Sequence, residues 1–338
     1  MGGSPVPPHL AAIDRVIYLL DRAQAGRQKV KAFQRGRAIL AELEPDEVER
    51  LVAEGRLTSL DGIGPSIASV VTAAVRNEAS PYVDELEASS AIPIGEGAAI
   101  RAALRGDCHS HSTWSDGGAE VRAMAEAAIA LGHDYLVVTD HSERLTVAHG
   151  LSAERLARQR IEIEALNVEL APFRLLTGIE VDIMGDGSLD LPDEVLEPLD
   201  VVIASVHREI HQPAAQMTKR LVTAVANPHV DILGHCTNRK IGEKKRKPST
   251  FDADYVFAAC ANFDTAVEIN CRPERRDPPE ELLELALEWK CEISIDSDAH
   301  APGQLEWLAY GCDIAARVGV EPASILNTRP ADELTCSP

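Results

Sequence analysis

The segment GDCHSHSTWSDG, residues 106–117, contains two histidines separated by one residue, and Asp116 follows five residues after the second. In an extended chain, residues i and i+2 point to the same side, so His109 and His111 can bind one ion together. Imidazole and carboxylate side chains this close together are typical of a divalent metal site. Two surface histidines in a loop would show the same spacing, so the rest of the chain has to decide between these interpretations.

Apolar runs and helix-like stretches alternate from residue 105 onward. The apolar runs predict seven strands, at 106–109, 135–140, 174–181, 200–206, 230–234, 265–270 and 291–296. Helix-like stretches between them include 118–131, 152–169, 278–290 and 303–318. Such repeats predict a parallel sheet, either closed into a barrel or open and doubly wound. No Gly-x-Gly-x-x-Gly turn follows the first strand and no P-loop occurs, so the sequence gives no support to a nucleotide cofactor.

Polar side chains stand at the carboxyl end of each predicted strand. After the first strand they are His141, Glu180, His207, His235, Glu268 with Asn270, and Asp298 with His300. In parallel α/β folds the active site is built at this end of the strands. With His109 and His111 included, six of the eleven histidines occupy such positions, which predicts a site for two or three metal ions. Imidazole and carboxylate ligands without thiolate favour Zn²⁺, Mn²⁺ or Fe²⁺ over Ca²⁺ or an iron–sulfur cluster.

Composition excludes some classes of protein. The chain has 338 residues and a net charge of −21, which argues against a general nucleic-acid coat protein. No apolar run reaches the roughly 20 residues of a membrane span, and the start, MGGSPVPPHL, does not resemble a signal peptide. The seven cysteines form no Cys-x-x-Cys pair. We therefore expect a cytoplasmic protein with reduced thiols and no membrane partner.

Two basic clusters interrupt this acidic chain. Residues 22–37 contain six basic residues and no acidic one, and residues 238–247 contain six basic residues and one glutamate. Such runs are often only solvated faces. Arg239 and Lys240 of the second cluster follow the strand-end His235. Outside both clusters, Arg272, Arg275 and Arg276 follow the strand that carries Glu268. We expect these five side chains to bind phosphate oxygens at the metal site.

The strand-end motifs resemble a known family. HSHSTWSDG, LVVTDHS, GIEVDI, ASVH, NPHVDILGH, VEIN and SDAH, in this order, are similar to the polymerase and histidinol phosphatase (PHP) domain, above all to the one in bacterial family X DNA polymerases. The resemblance implies a distorted seven-stranded (β/α) barrel with a trinuclear metal centre. It assigns His109, His111, Glu180 and Asp298 to the first metal, Asp116, His141 and His300 to the second, and Glu180, His207 and His235 to the third.

The first 90 residues are predicted to be helical. QKVKAFQRGRAIL and LDGIGPSIA resemble the small lyase-type domain of the same polymerases, which contains a helix-hairpin-helix. Gly62 and Gly64 would let backbone amides approach a DNA phosphate, and we expect Lys29, Lys31 and Arg35 to contact DNA as well. The helix PSIASVV lacks the lysines that form a Schiff base in that family, so we expect no deoxyribose-phosphate lyase activity. Only residues 89–104 separate the two modules, which leaves no room for a polymerase palm.

These observations predict a flexible tail at 1–10, a helix-hairpin-helix domain at 11–88, a linker at 89–104, a PHP barrel at 105–325 and a frayed tail at 326–338. The predicted function is a metal-dependent phosphoesterase that processes DNA 3′ ends as a 3′-5′ exonuclease or 3′-phosphatase, with Asp298, His300 and Arg272 as catalytic residues. Two alternatives stay open. One is a small-molecule phosphomonoesterase of the histidinol-phosphatase or nucleotide-phosphatase type, and the other is a non-catalytic DNA-repair scaffold.

Overall fold

Helices make up the first of two units into which the chain divides, Met1–Ala91 and Ile92–Pro338. The computed structural model describes residues 6–242 and 245–334. The elements of the first unit are α1 (Pro8–Arg22), α2 (Arg27–Ala41), α3 (Pro45–Ala53), a 3₁₀ turn (Leu57–Ser59), α4 (Pro65–Val75) and α5 (Pro81–Ser90). No helix in the described part of the chain is both long and apolar enough to cross a membrane.

Apolar residues at helical spacing form the core of this unit. Ile13 and Val16 of α1 pack in one cluster with Leu40 of α2 and Val70 of α4. Gly62 has a φ of +88°, and a Cβ atom there would lie 2.7 Å from a methyl carbon of Ile39, so the turn before α4 requires glycine. Helix α4 begins at Pro65, because proline is favoured in the first turn of a helix.

The second unit alternates strands and helices. Its strands are β1 (Gly106–Asp107), β2 (Tyr135–Val138), β3 (Arg174–Asp182), β4 (Val201–Ser205), β5 (Ile232–Leu233), β6 (Ala266–Asn270) and β7 (Ile293–Asp296). Its helices are α6 (Ala98–Ala103), α7 (Val121–Ala130), α8 (Ala153–Leu170), α9 (Asp193–Leu196), α10 (Ala214–Val225), α11 (Ala253–Asn262), α12 (Glu280–Glu288), α13 (Leu308–Arg317) and α14 (Ala331–Leu334). The 3₁₀ turns are Thr146–Ala148, Pro302–Trp307, Pro322–Ser324 and Leu326–Thr328. Every predicted strand overlaps an observed one, and the ends differ by at most two residues.

The seven strands are parallel and pair in chain order, from β1 to β7. A doubly wound sheet would reverse direction at a switch point, so the sequential order excludes that alternative. At the seam between β1 and β7, Ser110 bridges to Ala299, and the backbone N–H of His111 donates to the carbonyl oxygen of Ala299 at 2.8 Å. The sheet is therefore a nearly closed, distorted barrel, which confirms the predicted fold class.

The carboxyl-terminal segment differs from the expected frayed tail. Asn327 is fully buried in the seam, where its Nδ2 donates to the carbonyl oxygens of Gly106 at 3.1 Å and Ile295 at 2.6 Å. Leu326 and Leu334 are buried in the same cluster as Tyr135. Residues 326–334 are thus part of the barrel, because they satisfy backbone groups that its seam would leave unpaired. Residues 335–338 lie outside the described part of the chain.

Two other predicted boundaries also differ. Helix α1 begins at Pro8 and buries His9, so the predicted tail at 1–10 is too long; residues 1–5 are not described. The predicted linker at 89–104 contains α6, which packs against α13. Upstream of α6, the backbone N–H of Gly97 donates to Asp313 at 2.8 Å. Segment 92–104 therefore belongs to the second unit.

Alternation along each strand decides which side chains face the barrel interior. Tyr135 and Val137 of β2 pack in the interior cluster, whereas Leu136 and Val138 pack with α7. The interior face of β2 continues after the strand to His141. On β3 the same period of two places Glu180 on the interior face, so polar side chains collect at the carboxyl mouth of the barrel.

Candidate metal centre

Glu180, near the end of β3, lies at the centre of a cluster of histidines. Its side chain is buried, and its Oε2 lies 2.7 Å from Nδ1 of His141. The same oxygen lies 3.5 Å from Nε2 of His109 and 3.6 Å from Nε2 of His111. Burial by itself raises the pKa of Glu180, but the surrounding histidines, His141 first, hold it well below its usual value. A carboxylate is therefore the stable form of Glu180.

The second oxygen of Glu180 faces the opposite wall of the mouth. Its Oε1 lies 2.9 Å from Nε2 of His235 and 3.2 Å from Nε2 of His207. Asp182, two residues further along β3, lies 3.4 Å from Nδ1 of His207 and accepts a hydrogen bond from its backbone N–H at 3.1 Å. One carboxylate thus connects histidines that follow β1, β2, β4 and β5.

Asp116 completes a second group nearer the surface. Its Oδ1 lies 3.3 Å from Nε2 of His300 and 3.6 Å from Nε2 of His141. Buried Asp140 organises the loop that carries Asp116, because its carboxylate accepts hydrogen bonds from the backbone N–H groups of Ser112 at 2.8 Å and Ser115 at 3.1 Å. The position of Asp116 is therefore fixed by a residue next to His141 in the sequence.

Asp298 follows β7 and lies 3.4 Å from Nε2 of His111. Its Oδ2 accepts a hydrogen bond of 2.9 Å from Asn270. Burial by itself raises the pKa of Asp298, but Arg272 and His109 hold it well below its usual value. Asp298 also has a φ of +51°, in the left-handed region that non-glycine residues rarely adopt. Such backbone strain is concentrated at functional sites.

The chemistry of these side chains fits divalent metal ions. Buried polar side chains normally have hydrogen-bond partners. Here the described residues include several buried ligand atoms that have none: Nε2 of His109, both ring nitrogens of His111 and His207, Nδ1 of His141 and His235, Oδ1 of Asp116 and Oε2 of Glu180. Neutral imidazole nitrogens and carboxylate oxygens that converge without partners are the donors that Zn²⁺, Mn²⁺ or Fe²⁺ requires.

Three groups of ligand atoms lie within 4.8 Å of one another: His109, His111 and Glu180; His111, Asp116, His141 and His300; and His141, Glu180 and His207. The structure thus brings the nine predicted ligands to one mouth, with some differences from the predicted sets. His111 joins the group of Asp116, Asp298 stands outside the first group, and His141 takes the place of His235 in the third. The division among three metals stays a prediction.

Two of the five predicted phosphate-binding side chains have other partners. The guanidinium of Arg239 donates to the backbone carbonyl oxygens of Arg275, at 3.1 Å, and Arg276. Arg239 therefore shapes the loop that carries Arg275 and is not free to bind a substrate. The guanidinium of Arg276 lies over the ring of Tyr310, 4.9 Å from its centroid. These contacts correct the expectation for Arg239 and direct Arg276 towards α13.

Of the other three basic side chains, Arg275 and Arg272 contact candidate ligands. Nε of Arg275 lies 3.6 Å from Oδ2 of Asp298, and its Nε and Nη1 are buried without a hydrogen-bond partner. Arg272 places its Nη1 2.9 Å from Nδ1 of His300 and 3.0 Å from the carbonyl oxygen of Asp298. Lys240 is half-buried, and burial together with neighbouring Arg275 lowers its pKa. In the same basic cluster, Lys244 lies outside the described residues.

The five DNA-binding candidates of the first unit fall on two surfaces. Lys29, Gly62 and Gly64 line one cavity of about 780 Å³, in which the Lys29 ammonium lies 5.3 Å from the ring centroid of Tyr82. Lys31 and Arg35 line a separate open hollow on α2. They are four residues apart and share one helix face, whereas Lys29 points to another. The six basic residues of 22–37 therefore do not form one patch, and buried Arg22 donates to Ser90.

The sequence placed Glu268 and Asn270 at a strand end, but it did not predict that Glu268 and Asp182 contact the ligand histidines. Glu268 lies 2.5 Å from Nδ1 of His109, and Asp182 lies beside His207. Both residues share the interior face of a strand with other polar side chains, Glu268 with Asn270 and Asp182 with Glu180. This alternation of polar residues along the strand was the sequence signal that could have identified Glu268 and Asp182.

Comparison with known proteins agrees with this geometry. Residues 107–271 match the PHP domain. The chain is 42% identical over 252 residues to the DNA polymerase/3′-5′ exonuclease PolX of Bacillus subtilis (strain 168), a match that covers 75% of the chain but only 42% of PolX. It is 29% identical over 234 residues to a protein named probable phosphatase from Thermoanaerobacter sp. (strain X514), covering 66% of the chain and 89% of that protein.

Among solved structures, histidinol phosphate phosphatase from Lactococcus lactis, complexed with zinc, L-histidinol and phosphate, superposes with a TM-score of 0.49 and 19% identity. The superposition covers 64% of this chain and 95% of that one. The matched motifs, the seven-stranded barrel and the cluster of histidines and carboxylates lead to one conclusion. Residues 107–271 are similar to the PHP domain, the family that the strand-end motifs resemble.

Proposed function

We propose that the chain hydrolyses phosphate ester bonds at DNA 3′ ends, as a 3′-5′ exonuclease or a 3′-phosphatase. The observation that carries the proposal is the set of buried, unpartnered ligand atoms around Glu180, with the guanidinium of Arg275 beside them. The donor set suits two or three ions of zinc, manganese or iron. Bound at this mouth, such ions would supply an activated water near neutral pH and neutralise charge on a phosphate.

The side chains of the chain itself would bind and orient the phosphate. Arg275 offers unpaired N–H groups to the non-bridging oxygens, and half-buried Lys240 adds a second positive charge. Arg272 acts behind them: it contacts Nδ1 of His300 and so leaves Nε2 of that ring facing Asp116. Asp298 is held between Arg272 and Asn270, which keeps its carboxylate ionised and oriented towards His111.

DNA is the proposed substrate class for two reasons. The first is the 42% identity to PolX, whose name gives a 3′-5′ exonuclease activity. The second is the helical unit, in which Lys29, Gly62 and Gly64 line one cavity and so bring a positive charge next to the glycine turn. We keep the cytoplasm as the proposed compartment, because the six described cysteines are free and buried.

A phosphatase for small monoesters is the second candidate. It is favoured by the relative named probable phosphatase, because the matched region covers 89% of that protein. A monoester would need only the barrel mouth and its basic side chains, and would leave the helical unit without a direct role. The two candidate functions use the same metal centre and differ only in the substrate, a DNA 3′ end or a small phosphate monoester.

One experiment distinguishes the two candidates. The Mn²⁺-loaded full chain is incubated with a 5′-fluorescent single-stranded oligonucleotide and, separately, with a panel of phosphate monoesters. We expect a ladder of shortened oligonucleotides from the wild type and from the His211→Ala control, an exposed histidine outside the cluster, but not from His109→Ala. Intact oligonucleotide together with phosphate released from monoesters would contradict DNA 3′-end processing and support the small-molecule phosphatase.

A further inference from the structure

Strand β6 ends in two fully buried polar side chains, Glu268 and Asn270, which do not belong to the predicted ligand set. Oε1 of Glu268 lies 2.5 Å from Nδ1 of His109. Its Oε2 accepts a hydrogen bond from the backbone N–H of His235. Each carboxylate oxygen of Glu268 therefore contacts a different candidate ligand.

The contact with Glu268 decides which nitrogen of His109 is available. Because Nδ1 faces Glu268, Nε2 is the nitrogen that points into the mouth, where it lies 3.5 Å from Oε2 of Glu180 and has no hydrogen-bond partner. A carboxylate on the far nitrogen of a metal-binding histidine fixes the tautomer and the orientation of the ring. The Glu268 carboxylate is placed to do this for His109.

Asn270 extends the same arrangement to a third ligand. Its Nδ2 donates to Oδ2 of Asp298 at 2.9 Å and lies 3.4 Å from Oε2 of Glu268. Asp298 has a left-handed backbone conformation, so an external hydrogen bond helps to hold its carboxylate in place. The two β6 side chains thus contact ligands that follow β1, β5 and β7.

We propose that Glu268 is a positioning residue that holds His109 in its metal-binding tautomer and fixes the backbone at His235, while Asn270 orients Asp298. The inference rests on the proposed metal centre. Glu268 and Asn270 bind no substrate in this arrangement. They act through the ligands that they contact.

The donors around the Glu268 carboxylate predict that glutamine cannot replace it. Two donors on candidate ligands, Nδ1–H of His109 and the backbone N–H of His235, face two carboxylate oxygens, and Nδ2 of Asn270 is a third donor to one of them. A glutamine offers one oxygen and one NH₂ group, so one of the two donors would meet another donor. The variant Glu268→Gln must therefore lose either the tautomer of His109 or the hydrogen bond to His235.

The test is a chelator titration of the zinc-loaded full chain, with zinc per chain measured by elemental analysis. We expect Glu268→Gln to release zinc at about 10- to 100-fold lower chelator concentration than the wild type. The control is Asp277→Asn, since Asp277 is equally buried and accepts backbone N–H groups of Thr237 and Arg239 but contacts no candidate ligand. It should retain zinc as the wild type does. Equal retention by Glu268→Gln overturns the inference, whereas a wild type that binds no zinc overturns the metal centre itself.

A measurement on the wild type covers the case in which Glu268→Gln does not fold. Long-range ¹H–¹⁵N spectra of the zinc-loaded chain, labelled at histidine, report which ring nitrogen carries the proton. The signal of His109 is the one absent from His109→Asn. We expect the proton on Nδ1; a His109 ring protonated on Nε2 overturns the inference.

Discussion

Nε2 of His235 lies 2.9 Å from Oε1 of Glu180, although the two residues are 55 positions apart in the chain. The other oxygen of Glu180 lies 2.7 Å from Nδ1 of His141. A single buried negative charge therefore stabilises histidines on both sides of the barrel mouth. Removal of that charge should affect the whole cluster and not one ligand alone.

The variant Glu180→Gln should lose metal and activity together. We expect phosphoesterase activity to fall by at least about 100-fold, beyond the 10- to 100-fold loss typical of residues that only contact a ligand. Metal per chain should fall as well, because the amide that replaces the carboxylate carries no charge for a divalent ion. The exposed Glu194→Gln is the matched control. A Glu180→Gln chain with wild-type metal content would contradict the central role of Glu180.

Arg275 should contribute to substrate binding and not to metal binding. Its Nε and Nη1 are buried without hydrogen-bond partners, so a phosphate would satisfy them. Because a hydrogen bond to a charged group contributes about 1.5–3 kcal/mol, we expect Arg275→Gln to raise KM by roughly 10- to 100-fold at unchanged metal content. Arg276→Gln, which changes the guanidinium over Tyr310, should leave KM close to the wild-type value. Steady-state kinetics on the preferred phosphate ester measure both.

The basic side chains of the helical unit should determine the salt dependence of DNA binding. Each contact with a single-stranded phosphate contributes about 0.7 to the slope of log K against log salt. The triple variant Lys29→Gln, Lys31→Gln and Arg35→Gln should therefore lower the slope by about 2 if all three side chains contact phosphate.

The control for this experiment removes the same amount of charge from the same unit. It combines Arg50→Gln, Arg56→Gln and Arg76→Gln, three exposed side chains outside the predicted DNA-binding set. Fluorescence anisotropy of a labelled single strand at several salt concentrations gives the slopes. Equal slopes for the two triple variants would show that net charge alone, and not a phosphate contact, is responsible.

His133 should make the stability of the chain depend on pH. Its ring is buried next to Arg101, and burial followed by that positive charge lowers its pKa from 6.5 to about 3. As pH falls below 6.5, the unfolded chain binds a proton that the folded chain does not bind until about pH 3, so stability decreases. This loss amounts to about 2 kcal/mol between pH 7.5 and pH 5.

The variant His133→Gln lacks this titration. The difference in unfolding free energy, wild type minus variant, should therefore fall by about 2 kcal/mol as the pH is lowered from 7.5 to 5. Urea unfolding of metal-free protein at a series of pH values measures this difference, and exposed His211→Gln should show no such trend. A constant difference for His133→Gln would mean that the folded chain protonates His133 as readily as the unfolded chain does.

Asn327 should stabilise the closure of the barrel. Its amide donates to the carbonyl oxygens of Gly106 and Ile295 and accepts from the backbone N–H of Ile295 at 3.2 Å. The variant Asn327→Ala leaves these buried groups unpaired, and an unsatisfied buried group costs about 1–3 kcal/mol. We expect a loss of about 2–4 kcal/mol in the free energy of unfolding, measured with urea, and a negligible loss for exposed Glu321→Ala. A loss below 1 kcal/mol, roughly the value of a surface change, would refute this role of Asn327.

The sequence by itself predicted the strands, their parallel arrangement and the candidate ligands, and only the family resemblance predicted a barrel rather than an open sheet. Strand positions follow from local apolar runs, and the period of two assigns side chains such as Glu180 and His207 to the interior face. Because the carboxyl ends of parallel strands meet at one mouth, residues that end separate strands can be expected to meet. These inferences need only neighbouring residues and the parallel arrangement.

Only the tertiary structure showed which side chains contact the ligands from outside the predicted set, and which basic side chains have no other partner and can bind a substrate. Asn327 reaches Gly106 across 221 positions, and Glu268 reaches His109 across 159. Arg239 was expected at the substrate but satisfies backbone carbonyl groups of a loop 36 and 37 positions away. Local pattern fixes the face to which a side chain points. The partner of that side chain depends on how the barrel closes. Buried backbone groups that the closure leaves unpaired need a hydrogen bond, and only a side chain brought close by the fold can supply it.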